Sequence, residues 1–192
     1  MGHSQADKVA SHQRIVEITA TRLRVDGLSR PAIGELMKEA GLTHGGFYRH
    51  FGSRDELVDE SIVRALWDGA RRIVDAVGAE RGSGGDPLAG LIAAYLSPEH
   101  RDDLAGSCAV ATLGADVARA SDRTRSAYGD QVRSYLRVIE GLVDEPDPAA
   151  RRRRAVLTLS ALVGAVIMAR AVSDPELSGE LLALVGEALT GP

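Results

Sequence analysis

The sequence is poor in cysteine, lysine and aromatic residues: one Cys, two Lys and 4% Phe, Trp and Tyr among 192 residues. A single cysteine, Cys108, excludes an internal disulfide and with it the stapled scaffolds of small secreted domains. Few aromatics beside abundant Ala and Leu favour helices over sheets. There is no H-E-x-x-H, C-x-x-C or G-x-S-x-G, and no Glu-x-x-His pair of the kind that builds a di-metal bundle. The five histidines are scattered. No enzyme, metal site or cofactor is therefore expected. The start, MGHSQADK, lacks an apolar signal-peptide core, and Ala6 stands where a myristoylation pattern needs Ser or Thr. No apolar run reads as long enough to span a membrane. The expectation is a soluble, cytoplasmic protein with no membrane partner.

What is present is unevenly charged. The formal net charge is −4. Residues 1–56 hold eight Lys/Arg against seven Asp/Glu, a net of +1, and the remainder holds 15 against 20, a net of −5. A mildly positive head on an acidic body fits a protein that meets phosphate with the head alone. The length allows one good core or two small ones.

The most informative stretch is LSRPAIGELMKEAGLTHGGFYRHFGSRDEL, residues 28–57. In PAIGELMKEA, Ile33, Leu36, Met37 and Ala40 recur at three- and four-residue steps and line one helix face. Pro31 suits a first helical position, which leaves Ser29 or Arg30 to cap that helix. Gly41 supplies the tight turn, and Leu42 plugs the corner between two helices. Thr43 is placed to cap a short second helix, HGGFYRH, whose Phe47 and Phe51 point inward together. Its other face carries His44, Gly45, Gly46, Tyr48 and Arg49: small at the start, basic further along. Those are the requirements of a helix that enters a major groove by its first turn. Ser53 and Glu56 form an S-x-x-E capping box that opens a third, long helix, with Arg54 in its first turn.

The run from Ala40 to Leu57, AGLTHGGFYRHFGSRDEL, resembles the signature of the TetR family of bacterial transcriptional regulators, roughly A-G-V-S-x-G-x-L-Y-x-H-F-x-S-K-E-x-L, without a gap. Arg54 replaces the usual Lys, and Pro31-Ala32 stands where the family often has two hydroxyl residues. The resemblance implies an all-α protein: an N-terminal three-helix helix-turn-helix DNA-binding domain (residues 1–56) and a C-terminal helical ligand-binding and dimerisation domain (57–192). It implies that Thr43, His44, Gly45 and Gly46 face bases or the adjacent backbone, that Tyr48, His50 and Arg54 hold phosphates, and that Ser29, Arg30 and Arg49 belong to the same DNA-binding set. It further implies a homodimer on a double-stranded, palindromic operator, acting as a repressor released by a small-molecule effector of unknown identity. Gly46→Leu is then expected to block groove entry while leaving the fold intact.

Elsewhere the periodicity predicts helices over about 7–26, from Leu57 to about Val77, over 87–96, from about 107 to Ala120, from Asp122 to about Val143, over 155–172 and over 175–189. Val9, Val16, Ala20 and Leu23 form the stripe of the first, and Arg22 and Arg24 near its end read as solvated. Arg81 to Pro87 reads as a loop, and Ser97 to His100 as a turn. The four arginines 151–154 read as partners for the acidic body rather than as a nucleic-acid patch. The two last helices are apolar around so much of their circumference that a second copy is expected to cover them. Candidates for the ligand pocket are Trp67, Tyr95, Cys108, Tyr128, Tyr135 and Met168, each as readily core. Cys108 also invites a sensing role if its thiol is reactive and reachable. The remaining rival is a helical ligand- or protein-binding module whose head no longer binds DNA; the intact face from His44 to Arg54 argues against it.

Overall fold

The computed structural model describes residues 5–28, 32–83 and 85–191, and over 70–83 the backbone alone. Every element among them is a helix: α1 (Gln5–Asp26), α2 (Ile33–Glu39), a 3-10 helix (His44–Arg49), α3 (Arg54–Ser83), α4 (Pro87–Tyr95), α5 (Pro98–Asp102), α6 (Ala109–Val117), α7 (Asp122–Glu140), α8 (Pro148–Ala171) and α9 (Pro175–Thr190). The all-helical expectation holds.

Helix starts follow one local rule. Asp86-Pro87, Ser97-Pro98, Asp147-Pro148 and Asp174-Pro175 each place an oxygen at the cap and Pro in the first turn, and each capping side chain accepts a backbone N–H. Pro loses nothing there, because that N–H has no partner inside the helix. Two expectations about helix starts are corrected. Ser97 to His100 is not a turn but the cap and first turn of α5. Ser121, rather than Asp122, caps α7 by accepting the Thr124 N–H at 3.2 Å. The segment expected to loop from Arg81 instead stays helical through Ser83.

Two cores result. The smaller, in the head, gathers Ile15, Val16, Leu36, Met37, Ala40, Phe47, Phe51 and Leu57. The larger gathers residues from α1, α3, α4 and α6 to α9, including Leu23, Ile62, Leu91, Leu113, Ile139, Leu162 and Leu182. The cores interlock: α1 gives Val16 to the head and Leu23 to the body, while α3 gives Leu57 to the head and Ile62 to the body. Val9, expected on the buried stripe, is 48% exposed beyond the end of the head core.

Arg22 and Arg24, read alike from the sequence, part company. Arg22 lies outside, paired with Glu39 at 3.0 Å. Arg24 is 8% exposed. Its Nε donates to the Ala105 carbonyl at 2.5 Å and its Nη2 to Thr21 Oγ1 at 3.4 Å, and it lies 3.7 Å from Asp68. It ties α1 to α3 and to the loop before α6. On the other side of that junction, Asp116 at the end of α6 accepts the Leu28 N–H at 3.4 Å.

The expectation that no apolar run reaches membrane-spanning length also needs correction. By length and composition α8 is long and apolar enough, though 39% of its most apolar window is buried within the chain. Of the four arginines at its start, Arg152 meets the Glu140 carboxylate at 2.9 Å as expected, while Arg151 Nε donates to the Glu145 backbone carbonyl at 2.8 Å. Leu157 and Met168 on α8, and Leu184 on α9, remain exposed in the single chain.

Candidate nucleic-acid interface

The turn after α2 is built by Gly41. At φ 74° it adopts the left-handed conformation that side chains disfavour. Its N–H donates to the Lys38 carbonyl at 3.0 Å, and the Leu42 N–H donates to the Met37 carbonyl at 2.8 Å. This is a Schellman closure, and Leu42 packs on the head core as such closures favour. The chain then turns directly into the 3-10 helix. Thr43 occupies its cap position with an extended backbone but makes no side-chain cap bond, contrary to expectation.

A 3-10 helix has three residues per turn, so its sides are sharply sorted. Phe47 is 1% exposed and sits 5.6 Å, centroid to centroid, from the equally buried Phe51. Thr43, His44, Gly45, Tyr48 and Arg49 are exposed, while Gly46 and His50 are half-buried. Tyr48, 73% exposed, stands edge-on to Phe47 at 5.2 Å. The core thus braces its ring while the hydroxyl faces outward.

The two glycines differ. A Cβ on Gly45 would meet nothing within 4 Å, whereas one on Gly46 would touch Met37 Cε and Thr43 Oγ1 at 3.6 Å. Gly45 is therefore the position where bulk can be added outward. Leucine at Gly46 would press on Met37, a fully buried head residue. A Cβ on Gly34 would come within 3.3 Å of His44 Nδ1, so a side chain there would crowd His44. The sequence offered no signal for Gly34, which is simply an exposed glycine on α2.

The capping box forms in altered shape. Ser53 Oγ accepts the Glu56 N–H at 3.1 Å, and Glu56 Oε2 reaches back to the Gly52 N–H at 2.6 Å, one residue before the cap itself. Arg54, half-buried, donates from Nη2 to the Leu28 carbonyl at 3.2 Å. It thereby clamps the start of α3 to the turn after α1. Ser29 and Arg30 lie outside the described residues, and the expected cap is not theirs: Ala32 holds the cap position of α2 and makes no side-chain cap bond.

His50 is electrostatically set apart. Burial lowers its pKa first, and the nearby His12, Lys8 and Arg49 lower it further. Its Nδ1 is enclosed without a hydrogen-bond partner. His12 in turn meets Glu60 at 2.8 Å and stacks on Phe51 at 4.4 Å. His50 thus lends the face a polar ring rather than a full positive charge.

In the body, a cavity of about 330 Å³ is walled in part by Gly69, Leu91, Tyr95, His100, Gly106 and Cys108. Tyr95 is 5% exposed, and among the described residues its hydroxyl meets the geometry of no hydrogen bond. Burial above all, then the neighbouring Cys108, holds that hydroxyl protonated well above its ordinary range. The Cys108 thiol is oriented to donate to Tyr135 Oη at 3.7 Å, and the Tyr128 hydroxyl donates to the Val110 carbonyl at 2.9 Å. Tyr95, Cys108, Tyr128 and Tyr135 are therefore neighbours at the start of α6. Trp67 and Met168 are not among them: Trp67 is 61% exposed in a surface hollow with Val63 and Arg123, and Met168 is 48% exposed on α8. Both were expected as core or pocket, and both lie outside.

The site is a helix-turn-helix head with a braced, exposed face, joined by a long helix to a larger helical body. Residues 23–61 match the model of bacterial regulatory proteins of the tetR family. The whole chain shares its fold with a TetR-family transcriptional regulator from Cytophaga hutchinsonii: TM-score 0.79, 18% identity, covering 100% of this chain and 98% of that one. It is also similar to a TetR regulator from Chloroflexus aurantiacus, with TM-score 0.78, 20% identity and 97% of each chain covered. NemR of E. coli in its reduced form gives TM-score 0.74 at 16% identity over 94% of this chain and 95% of that one. A search of curated proteins finds no match. Residues 23–61 thus match the tetR-family model, and the chain as a whole shares the fold of these solved regulators.

Proposed function

We propose that the protein is a ligand-responsive repressor that binds a palindromic operator as a homodimer and leaves it when a small molecule enters the body. The observation that carries the DNA side of this reading is the exposed face of Thr43, His44, Gly45, Tyr48 and Arg49, held on a core that buries Phe47 and Phe51. In this reading Thr43 to Gly46 approach bases and the adjacent backbone, while Tyr48, His50 and Arg54 serve phosphates. Phosphate contacts set register and affinity, and base contacts set sequence preference.

The dimer is supported by the exposed apolar residues of α8 and α9, Leu157, Met168 and Leu184 among them. A second copy of the same two helices is self-complementary to them and completes a four-helix interface. Two heads related by a twofold axis then read an inverted repeat.

The effector reading rests on the cavity beside Tyr95 and Cys108, whose volume lies at the low end of ligand pockets. Its wall is coupled to the head at two points. The loop that supplies Gly106 and Cys108 also supplies the Ala105 carbonyl held by Arg24, and α6, which Cys108 opens, ends at the Asp116 that holds Leu28. A ligand that binds better when this wall has shifted would bias the spacing of the heads; equal affinity for both arrangements would shift nothing.

Selection of genomic fragments by the purified protein, followed by sequencing, tests the reading. A short inverted repeat near a promoter is expected. Failure to enrich any fragment at low salt without ligand would refute it.

A further inference from the structure

A crevice of about 410 Å³ opens beside the 3-10 helix, between the N-terminal half of α1 and the turn after α2. Lys8 and Ser11 of α1 form one wall, and Thr43, Gly46, Arg49 and His50 form the other. It therefore joins the exposed face described above to an element not assigned any part in DNA binding. Neither Lys8 nor Arg49 is paired with a carboxylate among the described residues. Both lie near enough to His50 to act on its titration. Asp7 is the one carboxylate on the described walls. His12, the other titratable group against His50 on α1, is turned toward Glu60 of α3. With Nδ1 of His50 enclosed, Nε2 is the nitrogen left to reach a ligand.

Two unpaired cations, a hydroxyl and an imidazole converging on a crevice at the edge of a DNA-reading face match one ligand chemistry: a phosphodiester. We propose that this crevice seats one backbone phosphate of the bound duplex, held by Lys8 and Arg49 with Ser11 and His50, so that the N-terminal half of α1 is part of the DNA interface. The proposal rests on the head's binding DNA. It carries a second consequence. The phosphate adds an anion beside His50 and favours the imidazolium. Binding then draws in a proton, and affinity falls as pH rises through the bound-state titration.

The test uses the full chain and a mixed-sequence DNA duplex, with affinity measured across salt concentrations. Lys8→Gln should lower the slope of log affinity against log salt by about one, so that the loss between roughly 50 and 200 mM salt shrinks about 3.5-fold. Arg133→Gln on the exposed side of α7 removes the same charge far from the crevice and should leave the slope as it is. Calorimetry in buffers of different ionisation enthalpy should record proton uptake near neutral pH for the parent protein and its loss in His50→Gln. Lys8 is exposed, so an unchanged circular dichroism spectrum is expected for its variant. A parent protein that binds no duplex overturns the DNA reading itself. A parent that binds, with Lys8→Gln at the parental slope or Arg133→Gln lowering the slope equally, overturns the crevice. Proton uptake that persists in His50→Gln overturns the role of His50.

Discussion

The head and the body hold together in different ways. Among the described residues, the head core is eight residues around two phenylalanines, and the body core is 27 residues drawn from seven helices and their ends. A small core has no reserve, because few other contacts can take over when one is lost. Head positions therefore carry fold and function together: Phe47 is both the centre of the core and the brace for Tyr48. The body distributes its stability, which leaves it free to keep a cavity, a buried Tyr95 hydroxyl and an uncovered apolar face.

The sharpest way to break this comparison is to truncate one large side chain in each core. Phe47→Ala should cost about 3–5 kcal/mol, enough to unfold the head below the melting of the body, so thermal circular dichroism should show two transitions where the parent shows one. Leu162→Ala, at a site equally buried, should lower a single transition instead. Matching behaviour of the two variants would mean that the interlock through α1 and α3 makes one cooperative unit.

The next largest effect concerns the uncovered face. Leu157→Arg places a charge in the proposed dimer interface at a residue 68% exposed in the single chain. Sedimentation should report a monomer of unchanged helicity, and affinity for an inverted repeat should fall on the order of a hundredfold as the two half-sites lose their linkage. A dimer that persists would place the interface elsewhere.

Arg24→Met tests the junction between the regions. Loss of charged hydrogen bonds to Ala105 and Thr21 should cost about 2 kcal/mol in urea unfolding. Arg22→Met, two residues earlier and outside, should cost distinctly less, because an exposed ion pair adds little. Equal costs would deny the strut.

The smallest effect is one of pH. The pKa of His50 is lowered in the folded head, so the unfolded chain takes up its proton more readily. The His50 contribution to stability is thus present above the ordinary histidine range and lost as pH falls through and below it. His50→Gln should flatten the acid limb of the stability profile between about pH 7 and 5.

Legibility followed the same division. In the head, Gly41, Leu42, Phe47, Phe51 and the Ser53–Glu56 box announce their roles because each occupies a position with one local solution: a left-handed turn, a plug, an inward pair, a cap. The 3-10 winding of His44–Arg49 was not legible, nor was the contrast between Gly45 and Gly46. Both depend on how close Met37 comes, which is a tertiary fact. Lys8 was missed because it lies on a different helix, 35 residues before Thr43. In the body, Asp-Pro and Ser-Pro pairs start helices but read equally as breaks, so Ser97-Pro98 reads as a turn and α8 starts at Pro148 rather than at 155. Arg24 was misread because charge at a helix end is usually solvated, and nothing local reveals that the Ala105 carbonyl waits for it. Trp67 and Met168 look like core by type. Only the packing of α3 and α8 shows which faces are left out.

The account turns on the exposed side of the 3-10 helix being the surface that meets DNA. The most direct measurement compares parent and Gly45→Leu proteins for affinity to a selected duplex, with circular dichroism recorded on both. A Cβ at Gly45 has open space, so helicity should be unchanged, while affinity should drop at least about tenfold, or 1.4 kcal/mol, because the leucine stands between backbone and groove. Parental affinity in a folded Gly45→Leu protein would contradict the account and move the DNA-reading surface elsewhere on the head.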